Sequence, residues 1–185
     1  MNLFEFLMIL LSLIVGLGLT EILSGVATSL KRNGIRGMSL TFCAAALAIF
    51  VALLQQFWES WGLRSVGTWS FPAMLLMLGA PIFLYLMAHI IFPDREELVS
   101  LDEYYFEKAR LIWPLAALTV IAGTLFRPVA FGQPLWLIDN ASAIPILLVC
   151  GFLSVVKTRM IHRILVPLVL ASVLLDTLTF SHSIG

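Results

Sequence analysis

Glu21 stands within a long apolar run, ten residues ahead of Lys31. On a helix that is about 15 Å, deep enough to hold the carboxylate inside hydrocarbon if the run crosses a bilayer. An ionisable group at such a depth needs a partner or water, which makes it a candidate for ion or proton passage. Gly18 and Gly25, three before and four after Glu21, leave room on that face for a second helix. Tyr85 and His89 are i,i+4 neighbours near the cytoplasmic end of another apolar run, where a depth similar to that of Glu21 is open to them. A Glu21–His89–Tyr85 cluster is therefore expected, with the imidazole as hydrogen-bond or proton partner. The same residues equally suit a polar fastening between helices. Asp176, with Ser172 one turn before it and Thr179 after it, forms a second constellation toward the opposite membrane face. Glu5, Gln55, Gln56, Glu59 and Asp139 belong to that half, where Arg64 and Arg127 are the bases. Two readings are open: Asp176 pairs with Arg127, or the acids form a vestibule that concentrates cations.

Other chemistry is thinly represented. HExxH, GxSxG, CxxC and Walker-type patterns are absent, so neither an enzyme nor a metal site is expected. Haem ligation by His89 and His162 has no repeated spacing behind it, and no cofactor is expected. Cys43 and Cys150 lie inside apolar runs and read as small core thiols. Eleven basic and eleven acidic residues balance to zero net charge, which argues against nucleic acid as a partner.

The elements that carry these residues are apolar. Of 185 residues, 61% are hydrophobic and 12% charged, against about 25% charged in a soluble domain. A membrane crossing needs about 20 apolar residues. Such stretches fall at about 3–29, 39–58, 69–92, 111–130, 135–156 and 161–181. They predict an all-α, polytopic transmembrane helix bundle of six spans in a single domain, 1–185, with the lipid bilayer as solvent. Pro81, Pro145 and Pro167 interrupt the third, fifth and sixth spans and are expected to loosen them.

Lysine and arginine set the orientation. Lys31, Arg32 and Arg36 fill the first gap; Arg95, Lys108 and Arg110 the third; Lys157, Arg159 and Arg163 the fifth. The second and fourth hold only Arg64 and Arg127. The positive-inside rule then makes the odd gaps cytoplasmic and both termini external, N-out and C-out. No basic residue precedes the first run, which reads as an uncleaved anchor. Trp58, Trp61, Trp69 and Trp136 form an outer aromatic belt.

The third gap has structure of its own, a cytoplasmic capped helix at about 94–110. Ser100 and Glu103 fit a capping box, with Val99 and Tyr104 as its staple, and the helix is expected to run on into the fourth span. Tyr104, Tyr105, Phe106 and Trp113 suit the cytoplasmic interface. Six acids face three bases in this gap. They form either a solvated helix end or a surface for a cytosolic partner, with Glu96, Glu97, Asp102 and Glu103 as its contacts.

Ser12, Gly16, Thr20, Ser24 and Thr28 make an unbroken i+4 ribbon of small residues along the first span. Such ribbons mark close helix approach in lipid. Ala44, Ala48 and Ala52 repeat the spacing in the second span, so an intramolecular contact is expected, with a second protomer as the alternative.

Residues 16–25 (GLGLTEILSG), the Trp-rich second gap and the run Tyr104, Tyr105, Phe106, Glu107 resemble a group of small bacterial membrane proteins with no activity attached. The likeness covers most of the chain and implies a bacterial inner (plasma) membrane. Two functions follow from the residues. One is a small oligomeric channel or transporter for an ion or small solute, with a path from the outer acids to Glu21 and His89. The other is a non-catalytic accessory or scaffold subunit of a larger membrane complex, docking through the ribbon and the acidic 94–108 segment.

Overall fold

Ser39 and Ser70 each begin a helix by the same means. Their hydroxyls accept the backbone N–H three residues on, from Phe42 at 3.2 Å and from Ala73 at 3.3 Å. Gly34 and Gly132 close two others with φ of 62° and 63°, a left-handed conformation that glycine adopts without strain. The resulting helices are α1 (Leu3–Asn33), α2 (Leu40–Ser60), α3 (Phe71–Ile90), α4 (Leu101–Phe131), α5 (Ala143–Val155) and α6 (Arg159–Phe180), with a 3₁₀ turn at Trp61–Ser65. This computed structural model describes residues 3–34, 37–65, 69–93, 100–132, 134 and 143–180. Those residues form an all-helical bundle.

Five helices, α1 to α4 and α6, are long and apolar enough to cross a membrane. The fifth expected span is different. Its first part lies outside the described residues, and α5 has 13 residues, about 20 Å of helix against about 30 Å of hydrocarbon. Pro145 is the third described residue of α5. Pro81, Pro114, Pro128 and Pro167 do lie inside helices. The expected cytoplasmic helix and the fourth span are one helix from Leu101 onward. Ser100 stands at its N-cap, but its side chain makes no capping hydrogen bond, so that half of the capping box is not formed. Residues 94–99, with Glu96, Glu97 and Val99, lie outside the described residues.

Helix α2 is the hub, bordered by α1, α3, α4 and α6; α3 packs along α4, and α4 along α5. Helix α6 lies on α2 and scarcely touches α5. The buried side of α1 is Leu7, Leu11, Val15, Gly18 and Ile22, one helical face by spacing. Glycine is required at two points of it. A Cβ on Gly18 would stand 2.9 Å from Leu53 Cδ1, and one on Gly25 would overlap the Phe92 ring. Phe92 in turn meets Phe42 edge-on at 5.4 Å, so one ring joins three helices.

That arrangement leaves most of the ribbon outside the contact expected of it within the chain. Ser12, Gly16, Thr20 and Ser24 are exposed and Thr28 is half-buried. Gly18 and Gly25 already provide the close approach on the other face. The Ser12 and Thr20 hydroxyls donate to their own helix, to the Ile9 and Gly16 carbonyls, each at 2.8 Å. Ala48 and Ala52 line an interior cavity beside α4.

The periphery is apolar on every side, with Ile9, Leu148 and Met160 among its most exposed residues. Long apolar helices with such a surface fit an integral membrane protein. The C-terminal ends of α1, α3 and α5 lie toward one end, the basic end, where Phe92 meets Phe42 and Asp102 meets Arg163. At the opposite end Trp69 packs on Phe126 and Gln55 meets Asp176.

Candidate functional site

A polar cleft of about 260 Å³ opens at the end opposite the basic one, between α2, α4, α5 and α6. Gln55 organises it. Its Nε2 donates to Asp176 Oδ2 at 2.7 Å and to Glu59 Oε1 at 2.9 Å. Both acceptors are carboxylates, which fixes the orientation of the amide. The Thr177 hydroxyl approaches Gln55 Oε1 at 3.2 Å while donating to Val173 O at 2.8 Å. Arg127 lines the same cleft and acts electrostatically on Glu59, as Asp176 does. Two carboxylates and one guanidinium leave one formal negative charge. The other outer base, Arg64, is turned away, with its guanidinium 4.9 Å from the Trp61 ring. Ser172 is half-buried, donates to Val169 O at 2.8 Å and lines a groove between α5 and α6 below Asp176. Asp139 lies outside the described residues.

Beneath the cleft lies a chamber of about 100 Å³ with an apolar lining. Ala52, Leu84, Thr119, Val120 and Ile146 line both spaces, so the floor of one is the roof of the other. Three waters would fill about 90 Å³, but the apolar wall offers them few hydrogen bonds. The hydroxyl of Thr119 is engaged with Leu115 O at 3.0 Å.

Trp113 also lines the chamber, and from it runs a hydrogen-bonded chain that sequence reading missed. Its indole Nε1 donates to the Tyr105 hydroxyl at 3.1 Å, and that hydroxyl lies 3.0 Å from His162 Nδ1. His162 Nε2 is 2.9 Å from Val156 O. The order of donors follows from chemistry. Indole only donates and a carbonyl only accepts, so Nε2 carries the imidazole hydrogen and Nδ1 receives that of Tyr105. Tyr105, Trp113 and His162 are all buried. Tyr105 and Trp113, expected at the cytoplasmic interface, are thus covered by neighbouring helices. Residues 105, 109 and 113 recur at i+4 on one face of α4, a sequence signal that was available.

At the mouth of this chain, Asp102 Oδ2 lies 3.7 Å from Arg163 Nη2 and 4.0 Å from Arg159 Nη1. Its Oδ1 is buried without a hydrogen-bond partner. Asp102 was expected on a docking surface. It faces α6 instead, because Arg159 and Arg163 present two cations there one turn apart. Glu103 is exposed, and Glu96 and Glu97 lie outside the described residues.

The structure does bring Glu21, His89 and Tyr85 together. His89 Nδ1 is 3.4 Å from Glu21 Oε1, and the Tyr85 and His89 rings stack at 6.3 Å. The cluster sits on the outer face of α1 and α3, with His89 60% and Glu21 40% exposed. It lines neither the cleft nor the chamber. His162 has both ring nitrogens committed within the protein, leaving no lone pair for a haem iron in this arrangement. Among the described residues no group of His, Cys, Asp and Glu has the geometry of a metal site, and Cys43 and Cys150 are free thiols. No family model, curated protein or solved structure matches the chain, so its function is argued from this geometry alone.

Proposed function

We propose that this protein is a non-enzymatic permeation protein of a bacterial inner membrane, passing a small cation through its own bundle. The supporting observation is the column formed by the polar cleft, the apolar chamber beneath it and the buried Trp113–Tyr105–His162 chain. The cleft's excess carboxylate favours cations. The chamber is a dry constriction of the kind that gates by wetting. The basic end is cytoplasmic by its Lys and Arg content, so the cleft faces outward. The bacterial location follows the resemblance of residues 16–25. A route through Glu21 and His89 is not part of this reading, since they stand outside both cavities.

The test is cation flux into liposomes carrying the purified chain. Wild type is expected to pass K⁺ or a small organic cation down an imposed gradient. Asp176→Asn is expected to slow flux about tenfold or more by weakening the vestibule field, and Ala52→Trp to block it by filling the shared floor. No flux from wild type, or full flux through Ala52→Trp, would refute the proposal. The outward-facing ribbon of α1 favours a second reading, an accessory subunit that docks through that helix. Stable co-purification with other membrane chains from native membrane would mark it.

A further inference from the structure

The Glu21–His89 pair stands apart from the column just described, and its setting calls for a cover. His89 stands in the last turn of α3, five residues or about 8 Å before Asp94, and Glu21 shares that level because the two side chains touch. Leu17, Ile82 and Leu86 are exposed on the same two helices. An acid and an imidazole set among apolar side chains would face acyl chains, where polar groups lack the water that normally screens them.

We infer that a second copy of this chain covers the α1 and α3 face around Glu21 and His89, related to the first by a two-fold axis along the membrane normal. The patch is complementary to itself. A two-fold axis in that direction keeps both copies at equal depth and turns the same surface toward itself. The carboxylate of each copy then meets the imidazole of the other. A different chain would have to bring both a donor and an acceptor to this one level; the present chain already holds both there. Ser24 and Thr28, at i+3 and i+7 from Glu21, share the face, and Ser24 is exposed with a side chain small enough for a helix to come close. This inference does not rest on the permeation reading, since neither residue lines the cleft or the chamber.

The experiment is oxidative cross-linking of the full chain in native membranes, followed by the mass of the detergent-extracted protein. Ser24→Cys is expected to form a disulfide-linked species of twice the chain mass. Leu148→Cys, on α5 and 69% exposed, and wild type with its two native thiols are expected not to. Glu21→Lys places a cation against His89 and is expected to weaken association about thirtyfold or more. The exchange pair Glu21→His with His89→Glu is expected to restore it, with the same melting temperature as wild type. An extracted wild-type monomer with no Ser24→Cys product would overturn the inference. So would equal linkage through Leu148→Cys, linkage of Ser24→Cys to a different chain, or undiminished dimer in Glu21→Lys.

Discussion

His89 is 60% exposed beside a carboxylate on the outer face of α1 and α3, whereas His162 is buried between α4 and α6 with neutral partners on both ring nitrogens. The two imidazoles lie toward the same end of the bundle, yet they do different work. The buried ring is held by groups that gain nothing from a charge and lose much from being stranded. The outer ring is held by a charge and by little packing. Burial with complete hydrogen bonding fixes how helices join; exposure with an ionisable partner leaves a surface for something outside the protomer.

Stability measurements can break that contrast. His162→Leu leaves the buried Tyr105 hydroxyl without an acceptor for its proton and the half-buried Val156 carbonyl without its donor, and the loss expected in a detergent denaturation series is about 3 kcal/mol. Asp102→Asn removes only an ion pair at 3.7 Å and 4.0 Å to arginines that are more than half exposed. About 1 kcal/mol is expected there, and salt is expected to lower wild-type stability more than that of the variant. His89→Leu is expected to change protomer stability least, by about 0.5 kcal/mol, while weakening association. A His89→Leu protein as unstable as His162→Leu would erase the distinction between the two sites.

The sequence exposed one of these sites and hid the other. Counting residues from Lys31 and noting the i,i+4 spacing of Tyr85 and His89 was enough to bring Glu21, His89 and Tyr85 together, because depth and helical periodicity are both local rules. Tyr105 and His162 are 57 positions apart, and no spacing rule connects them. An aromatic residue near the end of a span reads as interfacial until a neighbouring helix is known to cover it. The helices themselves were legible from apolar length, apart from α5, whose described residues are too few for a span. The ribbon from Ser12 to Thr28 shows the limit of a packing motif. Small residues announce that a helix can come close, but the glycines at 18 and 25, on another face, are the ones this fold uses. Orientation rests on charge counting alone.

Helix α6 supplies Asp176 and Thr177 to the cleft, although Asp176 lies 121 positions from its partner Gln55. During synthesis, α1 through α5 enter the membrane before that wall exists. A chain arrested before α6 therefore lacks Asp176 in the cleft and the Val169 and Val173 wall of the chamber. Assembly order thus sets when the cleft exists: Gln55 and Glu59 meet Asp176 only after the last of the six described helices is in place.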